Sequence, residues 1–464
     1  MKRLSKNFLS IIGSDIARRF LGFVAVAYLA HKLGTAGFGL INIGFTVLSY
    51  AILASSAGLV SFGAREVARG NIDELANRIV SLRFFLTLPI FLVVVSLSWL
   101  FVHDTSTVKV ISYFCLSMFA FAVLLDWYFQ GKEEMGILGI ARTVSAGVYL
   151  LFIFLFVRTS DDIIWVALGA LAGDSLAAVL LLTRYNRRFG RVRLRFEPKE
   201  WKLLIGRSLP LGAGGILGSL TVNLAPLVIG ILMTNSDVGI YSAASKLVFF
   251  LLMLDRVLGT LLLPAATRFH ANSPETLTVK LETASKWIIR VALPVSLGGT
   301  MLSNKIVPFI FGNQYSDAVI VFQVLIWYFF FTLLHTVFTS GLVAIGQEKI
   351  YSRIMFVSAL VYLVSTVTLT KLFGLIGAAA GMAGSEALTL VFMQLQFRKF
   401  VKVPLIRHIL KVIPAAFIMG IIVFLLSPMH LLIVIIAGGV VYCVGLFMTH
   451  AITKSDLQEL LEQV

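Results

Sequence analysis

Charge is what this 464-residue chain has least of. Asp, Glu, Lys and Arg together make up 13% of it, about half the ~25% usual in a soluble protein. Cysteine is nearly absent, and both residues, Cys115 and Cys443, lie inside apolar runs. That excludes a disulfide or zinc framework. No Gly-rich phosphate-gripping loop with its Lys is present, which excludes ATP as a bound fuel, and no His-Glu-x-x-His pair offers a metal site. Long polar connections are also missing. One set consists of "HDTSTVK", "RTSDD", "TNSDVG", "FGNQYSD", "KLFG" and "SPMH", and no connection on the other side reaches domain size. Any function must therefore lie in the apolar part.

That part is large, with 58% of residues hydrophobic. A spanning helix needs about 20 mostly apolar residues. Fourteen stretches qualify, near 9–31, 38–61, 82–101, 110–130, 136–157, 163–183, 209–233, 240–264, 287–310, 318–345, 354–370, 375–396, 412–426 and 431–449. The expected fold is an all-α polytopic membrane protein of fourteen transmembrane helices. The N-terminal "MKRLSKNFLS" resembles the basic region of a signal peptide. The run after it carries three charges and no Ala-x-Ala-type cleavage site, so it is expected to be a retained helix.

Net charge is +16. In a soluble protein this would suggest nucleic acid; here it reads as the orientation signal of membrane helices. Alternate connections differ sharply in charge. One set holds Lys2, Arg3 and Lys6, then Arg65 to Arg83, Lys132 and Arg142, the dense "RYNRRFGRVRLRFEPKEWKLLIGR", Arg268 to Arg290, Lys349 and Arg353, "FRKFVKVPLIRHILK", and Lys454. The other has only Lys32, Lys109, Arg158 and Lys371. Both termini are thus expected in the cytoplasm, in agreement with an even number of spans.

An internal repeat is present. "LAGDSLAAVLLLTRYNRRF" from Leu171 lines up with "MAGSEALTLVFMQLQFRKF" from Met382, and "GFGLINI" from Gly37 with "DVGIYSA" from Asp237. The offsets, 211 and 200 residues, agree within a few turns of helix. Six spans per repeat give two halves entering the membrane in the same direction, as in many secondary transporters. The expected organisation is a six-helix lobe (1–183), a basic linker (184–208), a second six-helix lobe (209–396), and two additional helices with a tail (397–464).

Ionisable groups at membrane depth are functional candidates by default. Phe20 to Leu33 is only 14 residues, about 21 Å of helix, too short to cross about 30 Å of hydrocarbon. The first span must therefore reach back past Asp15, Arg18 and Arg19, which share one face at i, i+3 and i+4. Two readings are open. The arginines pair with Asp15 and snorkel to headgroups, or they line a water-filled cavity and attract an anion. Lys246 and Arg256 lie deep in the eighth span, and with Arg18 and Arg19 they form the candidate anion site. Asp174 and Glu386, near the middle of the sixth and twelfth spans, are too short to snorkel. With Asp15 and Asp126 they are candidates for coupling to protons or sodium. Lys305 is expected to snorkel and His335 to be a packing residue.

"LLDWYFQGKEEMGILGIAR" from Leu124 resembles a stretch of the polysaccharide and O-antigen flippases of the Wzx type, in the multidrug/oligosaccharidyl-lipid/polysaccharide exporter superfamily. "AHKLGTAGFGLINIGF" and "IVPFIFGNQYSDAVIVFQVL" resemble two further stretches. The resemblance runs over essentially the whole chain. It implies a two-lobed bundle with a central cavity that moves a polyprenyl-pyrophosphate-linked oligosaccharide from the cytoplasmic to the outer leaflet by alternating access, in the bacterial inner membrane. It also implies polysaccharide polymerase and glycosyltransferases as partners, besides membrane lipids, with no nucleic acid, no cofactor and no enzyme chemistry. Arginine's forked donors suit a pyrophosphate, and Arg18 and Arg19 stand where lipid II flippases of the superfamily place first-helix arginines. Within the signature, Lys132 and the glutamates are expected to fix a turn, and Trp127 and Tyr128 to anchor at the interface. Two other functions are weighed: a drug-cation antiporter, which wants acids in its cavity, and a membrane glycan polymerase or ligase, which wants a large outer loop.

Overall fold

The computed structural model describes residues 2–70, 74–401, 403–449 and 451–452, excepting the side chains of 2–19, 213–217, 219–221, 272 and 274. Among the described residues there is no strand; helices alternate with short irregular connections. This is what lipid demands, since a helix satisfies its own backbone groups. Ten stretches are long and apolar enough to span a membrane. Two of them, Phe20–Ser56 and Glu348–Phe397, each contain two helices folded back at a glycine in a left-handed conformation, Gly34 (φ 67°) and Gly374 (φ 61°). Pro198–Leu232 and Pro274–Phe311 complete the fourteen.

In chain order these are α1 (2–33), α2 (35–56), α3 (Leu75–Phe101), α4 (Thr105–Gly131), α5 (Met135–Phe156), α6 (Ile163–Phe189), α7 (Pro198–Leu232), α8 (Asn235–Ala271), α9 (Pro274–Phe311), α10 (Ala318–Ala344), α11 (348–373), α12 (375–397), α13 (Leu405–Leu425) and α14 (Leu431–Met448). A short helix, Leu59–Ala68, follows α2. Every expected span is found. The thirteenth starts earlier than its apolar run, at Leu405 rather than 412. Arg407, His408 and Lys411 interrupt the hydropathy but not the helix, and His408 Nε2 lies 3.2 Å from Glu282 Oε1 on α9.

The chain packs as two compact units, Met1–Ser242 and Ala243–Val464. In the first, α5 packs on α6 and on the α1–α2 pair. In the second, α10 is central, packing against α8, α9 and the α11–α12 pair, while α13 rests on α9 with α14 beside it. Lys305 donates to the carbonyl of Met429, tying α9 to the turn before α14.

The "DWYFQGKEEM" stretch departs from expectation. Trp127 and Tyr128 are fully buried, with Phe129, among Leu59, Phe62, Ile79, Leu181 and Tyr185; they are not interfacial anchors. Gly63 makes room for the indole, since a Cβ there would lie 2.4 Å from the Trp127 ring. Gly131 does the same for the backbone at Ala64 (2.5 Å). Arg83, fully inside, donates to the carbonyls of Leu124 (3.1 Å) and Phe121, capping the break in α4 just before the stretch. Glu134 pairs with Arg188 at 2.8 Å. The motif is thus a packing joint among α4, α5, α6 and the short helix. Trp127→Ala is expected to cost ~3–5 kcal/mol, read as a large fall in the thermal midpoint of the detergent-purified protein, with Trp165→Ala, on the surface, as the near-neutral control.

Candidate functional site

The second unit gathers ionisable side chains in its interior. His335 and Thr336 are neighbours on α10, about 100° apart around the helix, so one faces α12 and the other α8. His335 Nδ1 lies 2.8 Å from Glu386 Oε1 on α12. The Thr336 hydroxyl donates to Asp255 Oδ1 on α8 and also lies 3.1 Å from the Thr332 carbonyl oxygen. Tyr328 stands within electrostatic reach of both carboxylates, Tyr351 of Glu386, and Arg256 of Asp255. His335 Nε2 is buried and has no hydrogen-bond partner among the described residues.

The hydrogen count of this cluster is informative. A hydroxyl has one proton, so with Asp255 ionised Thr336 cannot satisfy both its own α10 carbonyl and the carboxylate. Protonated Asp255 would donate to Thr336, freeing that proton for Thr332. The 2.8 Å line between His335 and Glu386 likewise holds one proton that either side can carry. The arrangement can therefore take up and release protons without rebuilding its contacts.

The sequence-expected residues fall as follows. Glu386 lies in this cluster. His335, expected to be a packing residue, is Glu386's partner. Lys246 is half-buried on α8 and has no hydrogen bond or ion-pair partner among the described residues. Arg256 is beside Asp255. Asp126 takes part in the packing joint: it lies 3.7 Å from Arg142 and accepts from the N–H of Trp127. Asp174, in the first unit, has Ser117 and Tyr149 as polar neighbours. Its helix reaches them because Gly173 lets α6 approach α5; a Cβ there would lie 2.7 Å from the Ser145 carbonyl. Asp15, Arg18 and Arg19 lie on α1, and their side chains fall outside the described residues.

The first unit holds a feature that the sequence hinted at only through its repeat. At the end opposite the basic connections, α2 and α8 cross in backbone contact. A Cβ on Gly39 would lie 1.7 Å from the Asn235 carbonyl oxygen, and one on Gly239 1.9 Å from that of Thr35. The two contacts are reciprocal at the repeat's 200-residue offset, so a local two-fold relates them. Ser236 donates to Thr35 Oγ1 at 2.7 Å, and Asn235 Nδ2 to Thr107 Oγ1 at 3.3 Å. At the other end of α2 the left-handed Gly58 (φ 76°) meets α7. A Cβ there would lie 2.2 Å from the Ser208 carbonyl oxygen, and the Ser208 hydroxyl donates to that of Ala57 at 2.8 Å.

Comparison with known proteins places this architecture. A provisionally named O-antigen transporter of Shigella flexneri is 23% identical over 376 residues, covering 76% of this chain and 88% of that protein. The lipid II flippase MurJ of Bacillus subtilis is 22% identical over 441 residues, covering 82% and 80%. Among solved structures, lipid II flippase MurJ in an inward closed conformation superposes with a TM-score of 0.75 at 16% identity, over 94% of this chain and 98% of that one. An inward-facing multidrug resistance transporter of the MATE family gives 0.64 at 12% identity, over 84% and 98%. Residues 4–270, more than half the chain, match the polysaccharide biosynthesis protein family, and the chain belongs to that family of polysaccharide flippases.

Proposed function

We propose that this multi-pass membrane protein carries a polyprenyl-pyrophosphate-linked oligosaccharide, an O-antigen or other polysaccharide repeat unit, from the cytoplasmic to the outer leaflet of a bacterial inner membrane by alternating access. Glycosyltransferases would supply its substrate and a polysaccharide polymerase would consume its product. The observation that carries the anionic substrate is Lys246. A cation at membrane depth normally pairs with an acid, and Lys246 has none among the described residues. An entering pyrophosphate would complete it. Arg18 and Arg19 are proposed, from the sequence alone, as further anion-binding residues, because forked donors suit phosphate oxygens. The two acids of the interior cluster, Glu386 and Asp255, do not argue for a cationic drug, because both are already engaged, Glu386 with His335 and Asp255 with Thr336. Those acids are the proposed coupling site.

The test is complementation of a flippase-null strain, with export read as surface polysaccharide and protein level by immunoblot. Lys246→Ala, Arg18→Ala and Arg19→Ala are each expected to lower export roughly ten- to a hundredfold at normal protein level, from the ~1.5–3 kcal/mol of a hydrogen bond to a charged group. Lys246→Arg should retain part of it. Full complementation by the charge-removed variants would sink the anion reading.

A further inference from the structure

Between α6 and α7 the chain neither makes a helix nor leaves the protein. Residues 190–197 form no regular element and are strapped along the basic end of α3. The backbone N–H of Arg193 donates to Asn77 Oδ1 and that of Arg195 to Ser81 Oγ, both at 2.9 Å, and the N–H of Val192 to Asn186 Oδ1 at 3.1 Å. Along the strap Arg191, Arg193 and Arg195 alternate in sequence with Val192, Leu194 and Phe196. Val192 packs inward. Leu194 and Phe196 do not: they are 50% and 67% exposed, although Phe196 also touches Phe85 and Trp201.

Exposed Leu and Phe on a strongly basic segment would be costly in water. Their neighbours show what they face. Phe85, Leu88 and Leu92 on α3, at helical spacing, are all exposed and form a lipid-facing stripe. The apolar side of the strap continues that stripe to its basic end, so the strap lies at headgroup depth. The charge there is not neutralised among the described residues. Glu74, Glu134, Glu197 and Glu200 are taken up by Arg78, Arg188 and Arg195. The side chains of Arg191, Arg193, Lys199 and Lys202 are exposed and have no partner among the described residues.

We propose that the 190–202 strap is a binding site for anionic phospholipid headgroups of the cytoplasmic leaflet, with Arg191, Arg193, Lys199 and Lys202 holding the phosphates and Leu194 and Phe196 inserted among the acyl chains. Guanidinium groups suit phosphate oxygens, and basic juxtamembrane clusters bind anionic lipid. A soluble protein partner fits less well, because the apolar half of the surface runs on into the hydrocarbon stripe of α3. The site does not depend on the transported substrate.

The experiment uses the full-length protein in nanodiscs of phosphatidylcholine, with and without phosphatidylglycerol, reading retained phosphatidylglycerol by native mass spectrometry and the thermal midpoint. Wild type is expected to retain phosphatidylglycerol and to gain thermal stability from it, less so at high salt. Arg191→Gln, Arg193→Gln, Lys199→Gln and Lys202→Gln should weaken retention about fivefold per charge removed, as expected for a basic residue beside an anionic surface. Leu194→Ser with Phe196→Ser should weaken it with every charge intact, and keeps the proposal testable if the charge variants fold poorly. Lys349→Gln with Arg353→Gln, exposed basic residues outside the strap, should change nothing. Undiminished retention in the strap variants, an equal loss in the Lys349/Arg353 control, or strap-dependent capture of an acidic protein with no lipid effect would each overturn the assignment.

Discussion

Gly39→Ala and Gly239→Ala are each expected to abolish export while leaving membrane insertion intact. The added methyl meets backbone carbonyl oxygen at 1.7 and 1.9 Å, and no rotamer change can move a carbonyl. The helices must separate at their crossing. Overpacking of ~1–3 kcal/mol shifts the crossed form against the separated form by roughly five- to a hundred-and-fiftyfold. Under alternating access this crossing, at the end away from the basic connections, must close before the opposite end opens. A protein unable to close it leaves its site open to one side. Gly22→Ala and Gly384→Ala are controls, because a Cβ at either position meets nothing within 4 Å.

A cysteine pair tests the same step from the other direction. The Ser236 and Thr35 side-chain oxygens are 2.7 Å apart, close to the ~2.05 Å of a disulfide. Thr35→Cys with Ser236→Cys, in a chain whose Cys115 and Cys443 are replaced by Ala, should cross-link under mild oxidant and lose export, with recovery on reduction. Efficient cross-linking with export untouched would show that the crossing never needs to open.

Most of the helices were legible as apolar runs, and the two glycine folds, Gly34 and Gly374, fall where the runs are interrupted. The repeat was legible too, but its chemistry was not. "LAGD" and "MAGSE" place their acids one residue apart in the repeat frame, about 100° around the helix. Asp174 therefore meets Ser117 and Tyr149, whereas Glu386 meets His335. Trp127 was misread because an aromatic near a basic connection has the same composition whether it anchors in lipid or fills a core. What decides is Gly63, distant in sequence, whose missing side chain admits the indole. Lys246 announced itself as a charge in an apolar run. That it lacks a partner among the described residues is a tertiary fact, invisible until its neighbours are placed. His335 was undervalued for the same reason, since a lone histidine in a span gains meaning only from the carboxylate across from it.

Glu386→Gln is expected to uncouple transport from the gradient rather than end it. In proteoliposomes carrying the lipid-linked substrate, an imposed pH gradient should accelerate wild-type translocation, and a sodium gradient should not. Sodium, a hard cation, wants several oxygens around it. Here a ring nitrogen occupies one side of Glu386 and a hydroxyl one oxygen of Asp255, and no group of three or more acid, His or Cys side chains suited to a metal occurs among the described residues. A proton fits instead. In the proposed coupling the His335–Glu386 pair would carry it in one state, and on Asp255 it would free Thr336 to bond the Thr332 carbonyl. Glutamine at 386 keeps the size and a hydrogen bond to the imidazole but cannot exchange a proton, so basal equilibration should persist while acceleration by the pH gradient disappears. Asp255→Asn should remove part of that acceleration, because the amide is fixed as donor or acceptor and cannot switch the Thr336 hydroxyl. His335→Gln should act like Glu386→Gln, whereas a histidine that only packs would lower stability and leave the gradient dependence as it was. Acceleration by sodium in wild type, or an undiminished pH response in Glu386→Gln, would exclude proton coupling at this cluster.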